Sequence, residues 1–409
     1  MVHKYSRIID DWKLIDENRQ VIYLEFHQID VGTTEEKYMM EALKNGQISG
    51  RGEHTKAVEK NLESFFSADR VLMTTSGTHA LEMALHLSGL SEGDEVLLPS
   101  YTFPSTANAV IAVGATPIFV PVVPDLLSVS SEIIKQNITS RTRAVIAVHY
   151  GGVCCDIDEI ATYCKQNDLV LIEDAAQAFG SKYNGTPLGA FGDFGCLSFH
   201  GTKNDVSGEG GALILPNSSR ERMRHAERLL EKGTDRMAFL RGEQSTYEWT
   251  GFGSSYVPSD LLMGLLRGQL ETFEFRMEKR RSVIKKYIKA LSPHTSSKTL
   301  IFNGFDSEYE IESDTTYSNA HLFYIVLDNV ERGRAFKKFM DLANIPTRQH
   351  FLPLHASKMG EKLGYKVSDF PFESDIFERL YRLPVHSKLT ESDVEQVIQS
   401  VLSALEATL

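Results

Sequence analysis

A chain of 409 residues with 42% apolar and 24% charged side chains can bury a full core, and its length predicts one large and one smaller domain. A net charge of −12 at pH 7, without a long basic run, opposes binding to nucleic acid, so a phosphorylated ligand has to be held by a local device. Short, interrupted apolar stretches, early acids and four cysteines (Cys154, Cys155, Cys164, Cys196) outside common zinc spacings predict a cytoplasmic protein without membrane span, signal peptide, disulfide or metal site.

Residues 1–40 read as an N-terminal arm leading into the body. From residue 55 the pattern becomes periodic: TKAVEKNLESFF spaces Val58, Leu62, Phe65 and Phe66 as an amphipathic helix requires. Seven apolar runs of strand length follow: VLMT (71–74), EVLLP (95–99), PIFV (117–120), RAVIAVHY (143–150), LVLIEDAA (169–176), FGCLSFH (194–200) and GALIL (211–215). Helical segments such as HALEMALHLSGL and DEIATYCKQN lie between several of them. Near-continuous apolar strands separated by helices predict an α/β fold over residues 41–270, with a mostly parallel mixed sheet flanked by helices. The stretch 267–291 reads as one long helix, rich in exposed charge, that leaves this domain, and 292–318 reads as irregular. HLFYIVL (321–327), ERGRAFKKFMDLANI (331–345) and ESDVEQVIQSVLSAL (391–405) then predict a smaller C-terminal α+β domain over residues 271–409.

In open parallel sheets chemistry gathers beyond the carboxyl ends of the strands, so the residues where strands stop are the informative ones. Thr75-Ser76-Gly77-Thr78 stands at a helix start, where N–H groups, hydroxyls and the positive end of the dipole suit an anion; the same residues also make an ordinary cap. Phe103, after the run 95–99, can stack on a flat ring or simply join the core. Glu173 and Asp174 end a strongly apolar strand, where a carboxylate is costly to bury without a partner. A pyridinium nitrogen is one such partner; a solvated strand end is the other solution. Lys203 follows FGCLSFH in a tight loop, where a lysine can be held to form an imine with a carbonyl cofactor or can be one more surface cation.

In that order (anion loop, aromatic, acid, lysine) the stretches TSGTHALEMAL, LPSYTFPSTANAV, DLVLIEDAAQAFGSKYNG and GDFGCLSFHGTKNDVSGEGG resemble fold-type I pyridoxal 5'-phosphate (PLP) enzymes. The resemblance is specifically to the DegT/StrS-type sugar-nucleotide aminotransferases, over roughly residues 40–405. It implies catalytic roles for Lys203, as the Schiff-base lysine, and for Asp174, as the partner of the pyridine nitrogen. Gln177 is implied at the phenolic oxygen, Gly77, Thr78 and Ser198 at the phosphate, and Phe103 against the ring. L-glutamate is implied as amino donor, a nucleotide-linked keto sugar as acceptor, and a homodimer with shared active sites as the assembly. Dehydratases of this family carry histidine in place of the lysine, so Lys203 favours transamination. Residues 231–260 resemble the branch that converts TDP-4-keto-6-deoxyglucose to TDP-4-amino-4,6-dideoxygalactose for enterobacterial common antigen, with Lys232, Arg236 and Arg241 near the sugar nucleotide. A 3-aminotransferase on a TDP-3-keto-6-deoxyhexose, and a noncatalytic regulator binding PLP or a sugar nucleotide, are the alternatives. Ser254-Ser255-Tyr256 departs from the resemblance where many relatives place an asparagine that reaches the partner subunit's phosphate.

Overall fold

Strands that are apolar on both faces need helices on either side, and the computed structural model, which describes residues 24–297, 301–302 and 316–408, places all seven predicted strands in one such sheet. They are β1 (Arg70–Thr74), β2 (Glu95–Pro99), β3 (Thr116–Val120), β4 (Thr142–Val148), β5 (Val170–Asp174), β6 (Phe194–Ser198) and β7 (Gly211–Leu215). Their spatial order is β1-β7-β6-β5-β4-β2-β3. The pairings from β3 across to β6 are parallel, whereas β7 runs antiparallel to both β6 and β1. No helix separates β6 from β7, so the chain turns back on itself there, and only an antiparallel return is open to it. The carboxyl ends of β1, β2, β4, β5 and β6 therefore share one edge.

Helices α1 (Thr33–Lys44), α2 (Glu53–Phe66), α3 (Gly77–Leu87), α4 (Pro104–Ala112), α5 (Ile157–Gln166) and α6 (Arg220–Leu230) cover the sheet or flank it. Alternation along a strand divides its side chains between the two layers. On β1, Leu72 joins the core beneath α3 together with Val96, Ile146 and Ile172. Its neighbours Val71 and Met73 join the opposite core with Val58, Leu62 and Phe66 of α2.

Two local expectations differ from what forms. Residues 267–291 are not one helix: α7 (Asp260–Glu271) and α8 (Phe273–Leu291) meet at Thr272, with φ −111° and ψ 14°. The buried guanidinium of Arg276 causes the break, because it donates back to the Gln269 carbonyl and the Thr272 hydroxyl while also engaging the Asp205 carboxylate. The charge on α8 is also less exposed than its composition suggests, with Arg276, Arg280 and Arg281 all buried. Arginine stems pack well and the head can be satisfied by carbonyls: Arg280 donates from Nε to Ala320 O at 3.0 Å and from Nη2 to His321 O at 2.6 Å. Within the stretch read as an arm, α1 docks against α7, where Gln269 Nε2 donates to Glu35 Oε1 at 2.7 Å and to Asp30 O at 2.8 Å.

The C-terminal part combines α8, α9 (Val330–Leu342) and α10 (Glu391–Ala407) with an antiparallel sheet of β8 (Ile301–Phe302), β9 (Phe323–Val326) and β10 (Leu380–Leu383), ordered β8-β9-β10. Ile284, Tyr287, Phe336, Val397 and Val401 share its core. Tyr101 and Tyr150, from the carboxyl edge of the large sheet, pack with Leu322 and Tyr324 of this part and so seat β9 and β10 over that edge. Of the stretch read as irregular, residues 298–300 and 303–315 lie outside the described residues. No helix among the described residues is long and apolar enough to cross a membrane.

Candidate active site

Adjacent acids at a strand end point to opposite faces, and this separates Glu173 from Asp174. Glu173 is fully buried and spent on structure: Oε1 accepts from the Phe191 and Gly192 N–H groups at 2.6 and 2.8 Å, and Oε2 from Gly189 N and His149 Nε2, both at 2.8 Å. It clamps the loop before β6. Asp174 instead opens into a cavity of about 530 Å3. Its Oδ2 accepts from Thr106 Oγ1 at 2.8 Å, and its Oδ1 from Ala176 N at 3.2 Å. Burial raises its pKa, against the opposing pull of Thr106, the Ala176 N–H and Lys203.

Ser198 ends β6, and the loop after it is closed by Gly201 N–H donating to Gly208 O at 2.9 Å and Lys203 N–H to His200 O at 2.9 Å. Lys203 is thereby carried, half-buried, on a pinned turn at the cavity wall. Burial pushes its pKa down to about 8, because the ammonium loses hydration there; Asp174 works against that shift and Arg382 adds to it.

A third group lies where α3 begins. Ser76 caps the helix, its Oγ accepting from His79 N at 3.1 Å, and Gly77 and Thr78 open the first turn, whose N–H groups have no intrahelical acceptor. Close approach explains the glycine: a Cβ on Gly77 would lie 2.9 Å from Ser198 Cβ. A Cβ on Gly211 would lie 2.3 Å from the Ser76 carbonyl carbon, so the starts of α3 and β7 nest together. Thr78 Oγ1 shares a hydrogen bond with Ser105 Oγ at 2.7 Å. Backbone N–H groups, hydroxyls and a helix dipole converging on one concavity suit a phosphate. Gln177 Oε1 accepts from Gly151 N–H at 2.7 Å, which leaves its amide NH2 as the donor. Phe103, 57% exposed, forms part of the wall.

All seven residues named from the sequence (Gly77, Thr78, Phe103, Asp174, Gln177, Ser198 and Lys203) thus line the same cavity. An anion cradle of backbone N–H groups and hydroxyls, a buried carboxylate, an amine of lowered pKa and an aromatic wall together fit a flat, phosphorylated, ring-nitrogen-containing aldehyde. The basic residues of the 231–260 stretch are elsewhere. Arg241 is paired with Glu227 at 2.7 Å, and Arg236 and Lys232 with Glu231 at 3.4 and 3.9 Å; none of the three lines the cavity. Ser255 is exposed and bridges to Glu231. Among the described residues no cluster of His, Cys, Asp or Glu is placed to hold a metal ion.

Several lining residues were not singled out from the sequence. Thr106 was within reach, since it follows Thr102 by one helical turn in a stretch already noted. Phe26 and His27 come from the segment read as an arm, with His27 Nε2 donating to Gly201 O at 2.8 Å. Arg280, His321, Arg348, His350 and Arg382 come from the C-terminal part and carry no local pattern. His321 Nδ1 bonds Asn204 Oδ1 at 2.9 Å, and burial keeps both imidazoles neutral, with His350 pushed down to about 2.

The lowered pKa of Lys203 has a direct consequence. In cofactor-free protein, arylation of Lys203 by an amine-directed reagent should rise with pH to half-maximal rate near 8, because only the neutral amine attacks. Peptide mapping across a pH series checks this, and an inflection near 10 would show that burial does not depress the amine.

Residues 30–402 match the profile of the DegT/DnrJ/EryC1/StrS aminotransferase family. GDP-perosamine synthase of Vibrio cholerae is 29% identical over 370 residues, covering 90% of this chain and 95% of that protein. The dTDP-4-dehydro-2,3,6-trideoxy-D-glucose 4-aminotransferase of Saccharopolyspora spinosa is 28% identical over 393 residues, covering 94% and 97%. In fold, the chain is similar to the putative sugar aminotransferase Spr1654 of Streptococcus pneumoniae in its PLP form, with a TM-score of 0.84, 24% identity and coverage of 95% and 100%.

Proposed function

The chain belongs to the DegT/DnrJ/EryC1/StrS aminotransferase family and is a PLP-dependent sugar aminotransferase, and from that premise we propose that it aminates C4 of TDP-4-keto-6-deoxy-D-glucose, with L-glutamate as donor and TDP-4-amino-4,6-dideoxy-D-galactose as product. The observation that carries the catalytic part is the convergence of Lys203, Asp174 and the α3 cradle on one cavity. Amination at C4 is supported by the relative whose name specifies a 4-aminotransferase of a dTDP-linked 4-keto sugar.

PLP, when bound, supplies the aldehyde carbon that receives the amino group and a ring that takes up electron density. The residues divide the remaining work. Gly77, Thr78 and Ser198, which line the cavity, would hold the phosphate through N–H groups and hydroxyls, and Phe103 would cover a ring face. Asp174, oriented by Thr106, would keep a proton on the ring nitrogen, and the Gln177 amide, whose oxygen is taken by Gly151 N–H, would donate to the phenolic oxygen. Lys203, with a pKa of about 8, takes the proton from Cα of the donor and later delivers one to C4 of the sugar. An amine whose pKa lies near working pH can act in both directions.

The assembly that fits this reading is a homodimer with sites at the subunit boundary. Tyr247, Trp249 and Phe252 stand 50%, 81% and 66% exposed on one stretch, a degree of apolar exposure that a second copy would relieve. A 3-aminotransferase finds no comparable support. A regulator without activity is disfavoured because the amine and the acid both face the cavity.

Incubating the enzyme with glutamate and a panel of TDP- and GDP-linked 3-keto and 4-keto sugars tests the reading, with NMR locating the new amine. The expected product from TDP-4-keto-6-deoxy-D-glucose carries it at C4 in the galacto configuration. Amination at C3 would replace the proposal with the 3-aminotransferase; PLP binding without a half-reaction with glutamate would replace it with the regulator.

A further inference from the structure

Residues 24–31 lead into α1 without regular secondary structure, yet they are fixed at several points. Leu24 packs against the C-terminal core. The Glu25 carbonyl accepts from His386 Nε2 at 3.2 Å, Asp30 Oδ2 from Ser387 Oγ at 3.0 Å, and Asp30 O from Gln269 Nε2 at 2.8 Å. A segment with no hydrogen-bond ladder of its own keeps one conformation through such outside contacts. They tie it to the C-terminal part on one side and to α7 on the other. Between those anchors Phe26 and His27 reach the cavity.

His27 is the residue of this segment that bonds the turn carrying Lys203. Its Nε2 lies 2.8 Å from Gly201 O, and because a carbonyl only accepts, Nε2 carries the proton. The ring is half-buried, and burial favours its neutral form over the opposing pull of that carbonyl. It is therefore a single fixed donor, and it adds no positive charge to a cavity that already holds Lys203, Arg280, Arg348 and Arg382.

What this bond holds is the joint ahead of the lysine. Gly201 has no side chain to steer its backbone, so the peptide planes on its two sides have to be held from outside. The plane before its Cα is held by its N–H, which donates to Gly208 O at 2.9 Å, and the plane after it by the carbonyl that His27 engages. Both backbone angles of Gly201 are thereby set, and neither can turn without breaking a hydrogen bond. Beyond the lysine, Asn204 Nδ2 donates to Asn319 O at 2.7 Å. Lys203 thus sits between two restraints, one from the C-terminal part and one from the segment before α1.

We propose that His27 is a positioning residue for the amino transfer: by holding the Gly201 carbonyl it fixes the turn that aims the Lys203 amine at Cα of the donor. The role rests on the transaminase reading of the same cavity, in which one amine takes a proton and later returns it. Such a transfer depends on placement, and a displacement of about 1 Å costs roughly 100-fold in rate. His27→Phe keeps an aromatic ring and removes the donor, whereas His27→Gln returns an amide N–H. With saturating glutamate and the PLP-loaded enzyme, the half-reaction of His27→Phe should be about 10- to 100-fold slower, with the half-saturating glutamate concentration changed less than about threefold. α-Deuteration of glutamate should slow His27→Phe more than the parent, because proton transfer is the step that loses its geometry. His27→Gln should recover the rate to within about fivefold of the parent. In cofactor-free protein, amide hydrogen exchange over residues 201–204 should be about tenfold faster in His27→Phe, at an unchanged melting temperature. Asp30→Ala frees one anchor of the segment from outside the cavity; it should show the same pattern by a smaller factor, and it takes the place of His27→Phe should that variant fold poorly. A raised half-saturating concentration at an unchanged maximal rate would make His27 a substrate contact, and a lowered melting temperature without recovery in His27→Gln would make it purely structural. Either result overturns the proposal, as does a maximal rate within about twofold of the parent in the folded variant. Exchange is read without cofactor or substrate, so a parent that does not react with glutamate would sink the transaminase reading, whereas unchanged exchange would sink the held turn alone.

Discussion

Lys203→Ala is expected to lose the visible absorbance of bound PLP and to lower turnover by about 10^4-fold or more, because the same amine both captures the cofactor and moves the substrate protons. The fold should survive the change. Among the described residues the Lys203 side chain makes no hydrogen bond on which another element depends; the loop is closed by its backbone N–H and by Gly201 and Gly208. The pKa is about 8 in the native chain and near 10.5 in an unfolded one, so between those values the unfolded state binds more protons and stability of the cofactor-free protein rises with pH. Below pH 8 the full cost of burying the ammonium is present, and removing it should leave the variant melting no lower than the parent at pH 7. Absorbance spectra, steady-state rates and thermal melts of the two proteins check all three points. Turnover retained within tenfold would remove Lys203 from the chemistry, and a collapsed melting temperature would give it a structural role instead.

The second large effect is expected at Asp174. Asp174→Asn keeps size and a hydrogen-bond acceptor for Ala176 N–H, but an amide has no charge with which to hold a proton on a ring nitrogen. Turnover should fall about 10^2- to 10^3-fold, the scale seen when one preorganised electrostatic partner is lost. PLP should still bind, because the phosphate cradle and Lys203 are untouched. Rates with glutamate, together with the pH dependence of the bound cofactor's absorbance, provide the measurement; full activity in the variant would mean that the carboxylate does not face the ring nitrogen. The neighbouring Glu173 is not interchangeable with it, since its two oxygens are committed to three backbone N–H groups and to His149.

What could be read before the structure was known follows from the range of the forces involved. The seven strands were legible because a strand covered on both faces has to be apolar along its length, a demand met locally in each run from VLMT to GALIL. The residues at strand ends were legible for a related reason: they are polar groups placed abruptly after apolar ones. The break at Thr272 was not, because it depends on Arg276 reaching Asp205, a residue far away in sequence. The burial of Arg280 and Arg281 was equally hidden, as composition counts charges without revealing which carbonyls they meet.

By itself, then, the sequence determined the layered architecture and the polar groups that the sheet's carboxyl edge would offer, since both follow from patterns a few residues long. The residue pattern by itself left Glu173 and Asp174 undivided and the resemblance singled out Asp174, but only the tertiary structure decided that Phe26 and His27 from one end of the chain and Arg348 and Arg382 from the other close around Lys203. The physical reason is that such contacts are fixed by packing between elements: the tyrosine cluster that seats β9 and β10 over the sheet edge draws on residues more than 200 positions apart, and no short stretch of chain encodes where its side chains will meet.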